Sequence, residues 1–170
     1  MPLTHKDFIE NDIMQMMALL PEDADVADRM ALAARWQNAR LKEFGWVGDF
    51  VSGDPSMPYG LNIHTHGLRE SFDHYDIQIV AELPPDLFNQ LLVNAVDKIR
   101  EGVVFIPGIE YEGIIDGGGY KVCFVVATEG DREVLRMILP GKDGKLSKSE
   151  IDPNFRGQYK DTRLTFECSA

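Results

Sequence analysis

Residues 59–83 read YGLNIHTHGLRESFDHYDIQIVAEL, and the alternation inside this stretch decides the kind of fold. In an extended strand successive side chains face opposite ways. Over Tyr59–His66 that puts Leu61, Ile63 and Thr65 on one side and Asn62, His64 and His66 on the other. Over His74–Glu82 it groups Tyr75, Ile77, Ile79 and Ala81, leaving His74, Asp76 and Gln78 opposite. Two such strands joined across Gly67–Asp73 predict an antiparallel hairpin with one apolar and one polar face. One register sets His66 opposite His74, His64 opposite Asp76 and Asn62 opposite Gln78. Directly opposed Cβ atoms lie about 4.5–5.5 Å apart, so these side chains would form one surface.

Working outward, period-2 patterns recur at Trp46–Val51, Ile109–Ile115, Tyr120–Ala127 and Glu133–Leu139, with a short one at Arg163–Glu167. Between two of them, Pro84-Pro85-Asp86 opens a helix over about residues 85–101. Its apolar stripe is Leu87, Leu91, Leu92, Ala95 and Ile99, and Gly102 ends it. Before Gly45 the period is helical. Thr4 caps a first helix carrying Phe8, Ile9, Ile13, Met16, Met17 and Leu20, which Pro21 stops. Asp23 and Asp25 precede a second, lined by Val26, Met30, Ala33, Ala34, Leu41 and Phe44. The expectation is one α+β domain over residues 1–170, with a mainly antiparallel sheet of about five to six strands and a packed helix. Residues 1–44 form its helical N-terminal segment, 45–140 the α+β core and 141–170 an irregular C-terminal tail.

The chain has 28 acidic and 17 basic residues, a net charge of −11. Such a surface repels phosphate backbones and anionic lipid, which argues against nucleic-acid and membrane partners. No apolar run reaches the length of about 18 residues that a membrane span needs. The opening MPLTHKDFIEND has no basic region followed by an apolar one, so a cytoplasmic protein is expected. Cys123 and Cys168 form no CxxC pair and are expected as free thiols in a reducing compartment.

Two short motifs mimic ligand sites. Residues 115–121, IDGGGYK, lack the GxxxxGK[ST] pattern and lead into a strand rather than a helix N-terminus, so they read as a hairpin turn. Residues 143–150, DGKLSKSE, match the end of a calcium loop. Leu139 and Gly141 fall where its first carboxylates belong.

The histidine face is the candidate site. His64, His66 and His74 could ligate a divalent transition metal such as zinc, with Asp76 orienting His64. Without a metal, the His64–Asp76 pair could serve as a general base held in one tautomer. Tyr59, Asn62 and Gln78 on or beside that surface, with Arg69 and Glu70 in the connecting loop, are the candidate ligand-binding residues. The competing reading is a solvated sheet face with no chemistry.

Residues Gly45-Trp46, then 59–85 ending VAELPP, then 96–108, VDKIREGVVFIPG, resemble an uncharacterised bacterial family, domain of unknown function 4262. The similarity covers about residues 45–140. Many members carry a YTxGL strand followed by His-Pro-Glu. This chain has no Thr between Tyr59 and Gly60, and Tyr75 follows His74, so it looks like a branch bearing NIHTHG. The resemblance implies an α+β fold and brings no activity, cofactor or catalytic residue.

Two functions are compatible with these residues. One is a small-ligand or metal-binding domain using the histidine face, with hydrolysis as the chemistry such a centre would support. The other is a non-catalytic interaction module whose N-terminal helices, rich in methionine at Met14, Met16, Met17 and Met30, dock a partner or a second copy as a homodimer.

Overall fold

The computed structural model describes residues 3–163. Two compact units divide the chain, Met1–Val47 and Gly48–Ala170.

The first unit is helical: α1 (His5–Glu10), α2 (Ile13–Met17) and α3 (Val26–Phe44). Thr4 caps α1 by accepting from the Asp7 amide, and the Asp7 carboxylate returns the bond to the Thr4 amide at 2.7 Å. The apolar run from Phe8 to Leu20 is broken rather than one helix. Asn11 leaves helical geometry, and the Asp12 carboxylate takes the Gln15 amide at 2.8 Å to start α2. Short polar side chains satisfy the backbone locally, which favours helix ends over helix interiors. Gly45, in the left-handed region at φ 79°, ends α3. Phe8, Met16, Leu32, Trp36 and Val47 form the buried core. The methionine stripe therefore splits, with Met16 in the core and Met14 and Met30 at 74% and 68% exposure.

The second unit holds a seven-stranded sheet of β1 (Val47–Ser52), β2 (Leu61–His66), β3 (Ile77–Ile79), β4 (Glu110–Tyr111), β5 (Val122–Glu129), β6 (Arg132–Ile138) and β7 (Thr162–Arg163). The order is β1-β2-β3-β6-β5-β4, with β7 also on β5. Pairing is mostly antiparallel, as expected for this α+β fold. β3 and β6 run parallel, with Ile77 opposite Leu135. Of the expected last strand, residues 164–167 lie outside the described residues.

Two helices accompany the sheet, α4 (Leu68–Phe72) and α5 (Pro85–Arg100). The amphipathic α5 buries Phe88, Leu91, Leu92, Ala95, Val96 and Ile99. Phe88 meets Phe50 of β1 with ring centroids 6.2 Å apart. Phe50 and Asp49 are strand neighbours, so α5 covers the face opposite Asp49. The Asp49 face is polar in part.

The stretch from residue 141 corrects the expectation of an irregular tail. Leu146, Ile151 and Tyr159 are buried in one cluster with Cys123, Val125 and Ile138, and Phe155 packs on it. Cys123 is disulfide-bonded, which corrects the free-thiol expectation for it; Cys168 lies outside the described residues. No helix among the described residues is long and apolar enough to cross a membrane.

Candidate metal centre

The β2–β3 ladder pairs Ile63 with Ile79 and His64 with Gln78, two residues from the register expected above. A shift of two keeps every side chain on its face, so the polar surface survives while its partners change. The cause lies in the connection. Residues 67–73 fold into α4, and Asp76 is drawn out of the ladder to close it. Its Oδ1 accepts from Thr65 Oγ1 at 2.9 Å and from the Leu68 amide at 3.2 Å. Its Oδ2 accepts from Arg132 Nη1 at 2.9 Å. Asp76 thus pairs with Arg132 and does not orient His64.

His74 also lies apart from the other two histidines. Its Nδ1 donates to the Tyr75 carbonyl at 2.7 Å, and its Nε2 accepts from the Phe105 amide at 3.2 Å. Both ring nitrogens are committed to backbone, and burial pushes the imidazole pKa down, against the Tyr75 bond and Asp76, which raise it. A neutral ring is what the Phe105 amide requires.

The third group beside His64 and His66 is Asp49. The ligating atoms of Asp49, His64 and His66 lie within 4.8 Å of one another. His66 Nε2 is 3.1 Å from Asp49 Oδ2 and 3.0 Å from His64 Nε2, and His64 Nε2 is 4.0 Å from Asp49 Oδ2. Both imidazoles share the surface because they are two apart on β2, and β1 is the strand beside it. The bond to Asp49 lifts the His66 pKa, against burial and Arg132, which lower it.

His64 is aimed by its other nitrogen. Its Nδ1 lies 2.7 Å from Glu129 Oε1 and 3.2 Å from Asn62 Oδ1. Both are acceptors, so we assign the proton to Nδ1, which leaves the Nε2 lone pair facing Asp49 and His66 when the ring is neutral. Glu129 is itself fixed. It accepts from Asn62 Nδ2 at 2.8 Å and from Arg132 Nε at 2.7 Å, with Arg132 Nη2 on the same oxygen. Burial alone would raise the Glu129 pKa; the bonds from His64, Asn62 and Arg132 and the His64 charge hold it at about 2.

Behind this pair runs a buried chain. Gln78 Nε2 donates to Asn62 Oδ1 at 2.9 Å, and Gln78 Oε1 accepts from Arg136 Nε at 2.8 Å. Arg136 also donates to the Gln158 and Lys160 carbonyls, and burial pushes its pKa down to about 10, against Asp161. Among the described residues no buried side-chain nitrogen or oxygen lacks a partner. Asn62 and Gln78 therefore support the histidine from behind.

The remaining expected site residues separate. Tyr59, at φ 57°, donates its hydroxyl to the Asn154 carbonyl. A Cβ at Gly157 would sit 2.8 Å from that hydroxyl, so this contact belongs to the packing of the C-terminal stretch. Arg69 and Glu70 stand on α4 and line a cavity with Tyr75, Asp76, Arg132 and Glu133.

The side chain of His64 is 8% exposed, that of Asp49 28% and that of His66 39%, so Asp49 and His66 meet solvent while His64 is nearly buried. Two imidazole nitrogens and a carboxylate oxygen are a donor set for zinc or iron(II), and three protein ligands leave at least one position for water. The sequence reading missed Asp49, Glu129 and Arg132. A lone carboxylate inside the strand pattern of VGDFV was the signal for Asp49; nothing local marked Glu129.

No family model matches the chain, and searches of curated proteins and of solved structures return no match either.

Proposed function

We propose that this protein binds one divalent transition-metal ion of the zinc class at Asp49, His64 and His66 and uses it for metal-assisted hydrolysis of a small molecule. One observation carries the reading: His64 is clamped from behind by a carboxylate while its Nε2 converges with His66 and Asp49. A metal-ligating histidine almost always gives its second N–H to a carboxylate, carbonyl or water, which fixes the tautomer and strengthens the ligand. Glu129 takes that part here. A water in the open position would be acidified to near neutral pH, which supplies a hydroxide nucleophile. The resemblance to domain of unknown function 4262 brings no activity to this reading.

Metal analysis of protein purified without a histidine tag tests it. One equivalent of a transition metal in the wild type, abolished by His64→Ala plus His66→Ala in a protein that still folds, is the expected result. A wild type that takes up no zinc, or a double variant that binds it equally well, contradicts the reading.

A further inference from the structure

The cavity beside the metal centre has a volume of about 370 Å³ and is lined by Arg69, Glu70, Tyr75, Asp76, Arg132 and Glu133. Its charges divide into matched and unmatched ones. Asp76 pairs with Arg132 at 2.9 Å, and Glu133 pairs with Arg163 of β7. Among the described residues no carboxylate pairs with Arg69. Its guanidinium instead lies 4.9 Å from the centroid of the Tyr75 ring. An aromatic face holds a guanidinium by attraction to its quadrupole and leaves the fork of N–H donors facing outward. The planar fork matches a carboxylate in two parallel hydrogen bonds.

Arg132 is the wall this cavity shares with the centre. One nitrogen binds Asp76, and two bind Glu129, the carboxylate that holds His64. The same guanidinium donates to the carbonyl of Thr65, the residue between the two histidines, at 3.2 Å. A molecule in the cavity is thus one side chain away from the ligand set. The volume suits a small molecule rather than a polymer segment. The acidic walls at Glu70, Asp76 and Glu133, on a chain of net charge −11, oppose ligands carrying several negative charges. A single carboxylate fits these conditions and a phosphate group does not.

We propose that this cavity anchors the substrate of the metal centre by a carboxylate gripped on Arg69. The proposal rests on the metal reading for the reaction, though the cavity can be tested without metal. Glutaramate, a five-carbon acid with a single carboxylate, is the probe for zinc-free protein, followed by NMR shifts of the Arg69 side chain and the Tyr75 ring. Shifts at both groups are expected in the wild type, with the Tyr75 shift lost in Arg69→Ala and weakened in Arg69→Lys; Arg69 is exposed, so both variants fold. In zinc-loaded protein, glutarate monohydroxamate should bind about tenfold tighter than acetohydroxamate, the gain from one charge-assisted pair, and Arg69→Ala should remove that advantage. Zinc affinity itself should not change in Arg69→Ala. Absence of glutaramate binding, binding unaffected by Arg69→Ala, or inorganic phosphate binding as well as glutaramate would overturn the proposal. Glutaramate binding in a protein that takes up no zinc would keep the cavity and remove the metal centre.

Discussion

Replacing Glu129 by glutamine should weaken metal binding without touching a ligand. The carboxylate accepts from His64 Nδ1 at 2.7 Å, Asn62 Nδ2 at 2.8 Å and Arg132 Nε at 2.7 Å. Glutamine has the same shape but one acceptor oxygen and an NH2 group. If that NH2 faces Arg132, donor meets donor. If it faces His64, the imidazole must move its proton to Nε2, where the ion should sit. Loss of such an outer partner lowers metal affinity by about 10–100-fold, or about 1.4–2.7 kcal/mol. Folding should suffer too. Holding the Glu129 pKa at about 2, against 4.5, corresponds to roughly 3 kcal/mol in favour of the ionised form. That stability is present above 4.5 and is lost as pH falls toward 2, so the wild type should weaken over this window and Glu129→Gln should not. Zinc competition against a chromophoric chelator at neutral pH reads the affinity, and urea unfolding across the acid range reads the stability. A folded Glu129→Gln protein with unchanged zinc affinity would refute the reasoning.

Three further substitutions probe the frame around the centre. His74→Gln should flatten the acid side of the stability profile. A buried imidazole whose pKa lies below 6.5 stabilises fully above 6.5 and loses that contribution as pH falls, at up to about 1.4 kcal/mol per pH unit, so urea midpoints of variant and wild type should converge in acid. Arg136→Met strands the Gln78 amide oxygen and the Gln158 and Lys160 carbonyls. It should cost about 2–4 kcal/mol in urea unfolding and weaken zinc less than Glu129→Gln does, since it acts through Gln78 and Asn62. Leu91→Ala, on the buried face of α5, should cost about 2–5 kcal/mol with zinc affinity unchanged; a change in affinity would mean that the helix shapes the centre.

The two strands that open the polar face could be read from alternation alone, and so could the side on which His64 and His66 lie. Which carboxylate meets them could not. The register depended on residues 67–73, where α4 takes the place of an open loop and Asp76 turns to Thr65, Leu68 and Arg132. A hairpin drawn from hydrophobic pattern has no term for such a closure, so Asp76 and His74 were set beside the wrong partners. Asp49 needed the knowledge that β1 flanks β2, a pairing between separate strand patterns that neither pattern encodes. Glu129 is further still in sequence. It reaches Asn62 and His64 only because the end of the β5–β6 hairpin comes back over β2. The C-terminal stretch looked irregular because its buried residues, Leu146, Ile151 and Tyr159, sit in turns that carry no period.

X-ray absorption at the zinc edge of the zinc-loaded protein tests the metal centre most directly. Two imidazoles and additional oxygen donors at about 2.0–2.1 Å, with imidazole scattering lost in His64→Ala plus His66→Ala, are the predicted result. A first shell of oxygen alone, or a spectrum that the double variant leaves unchanged, would contradict it.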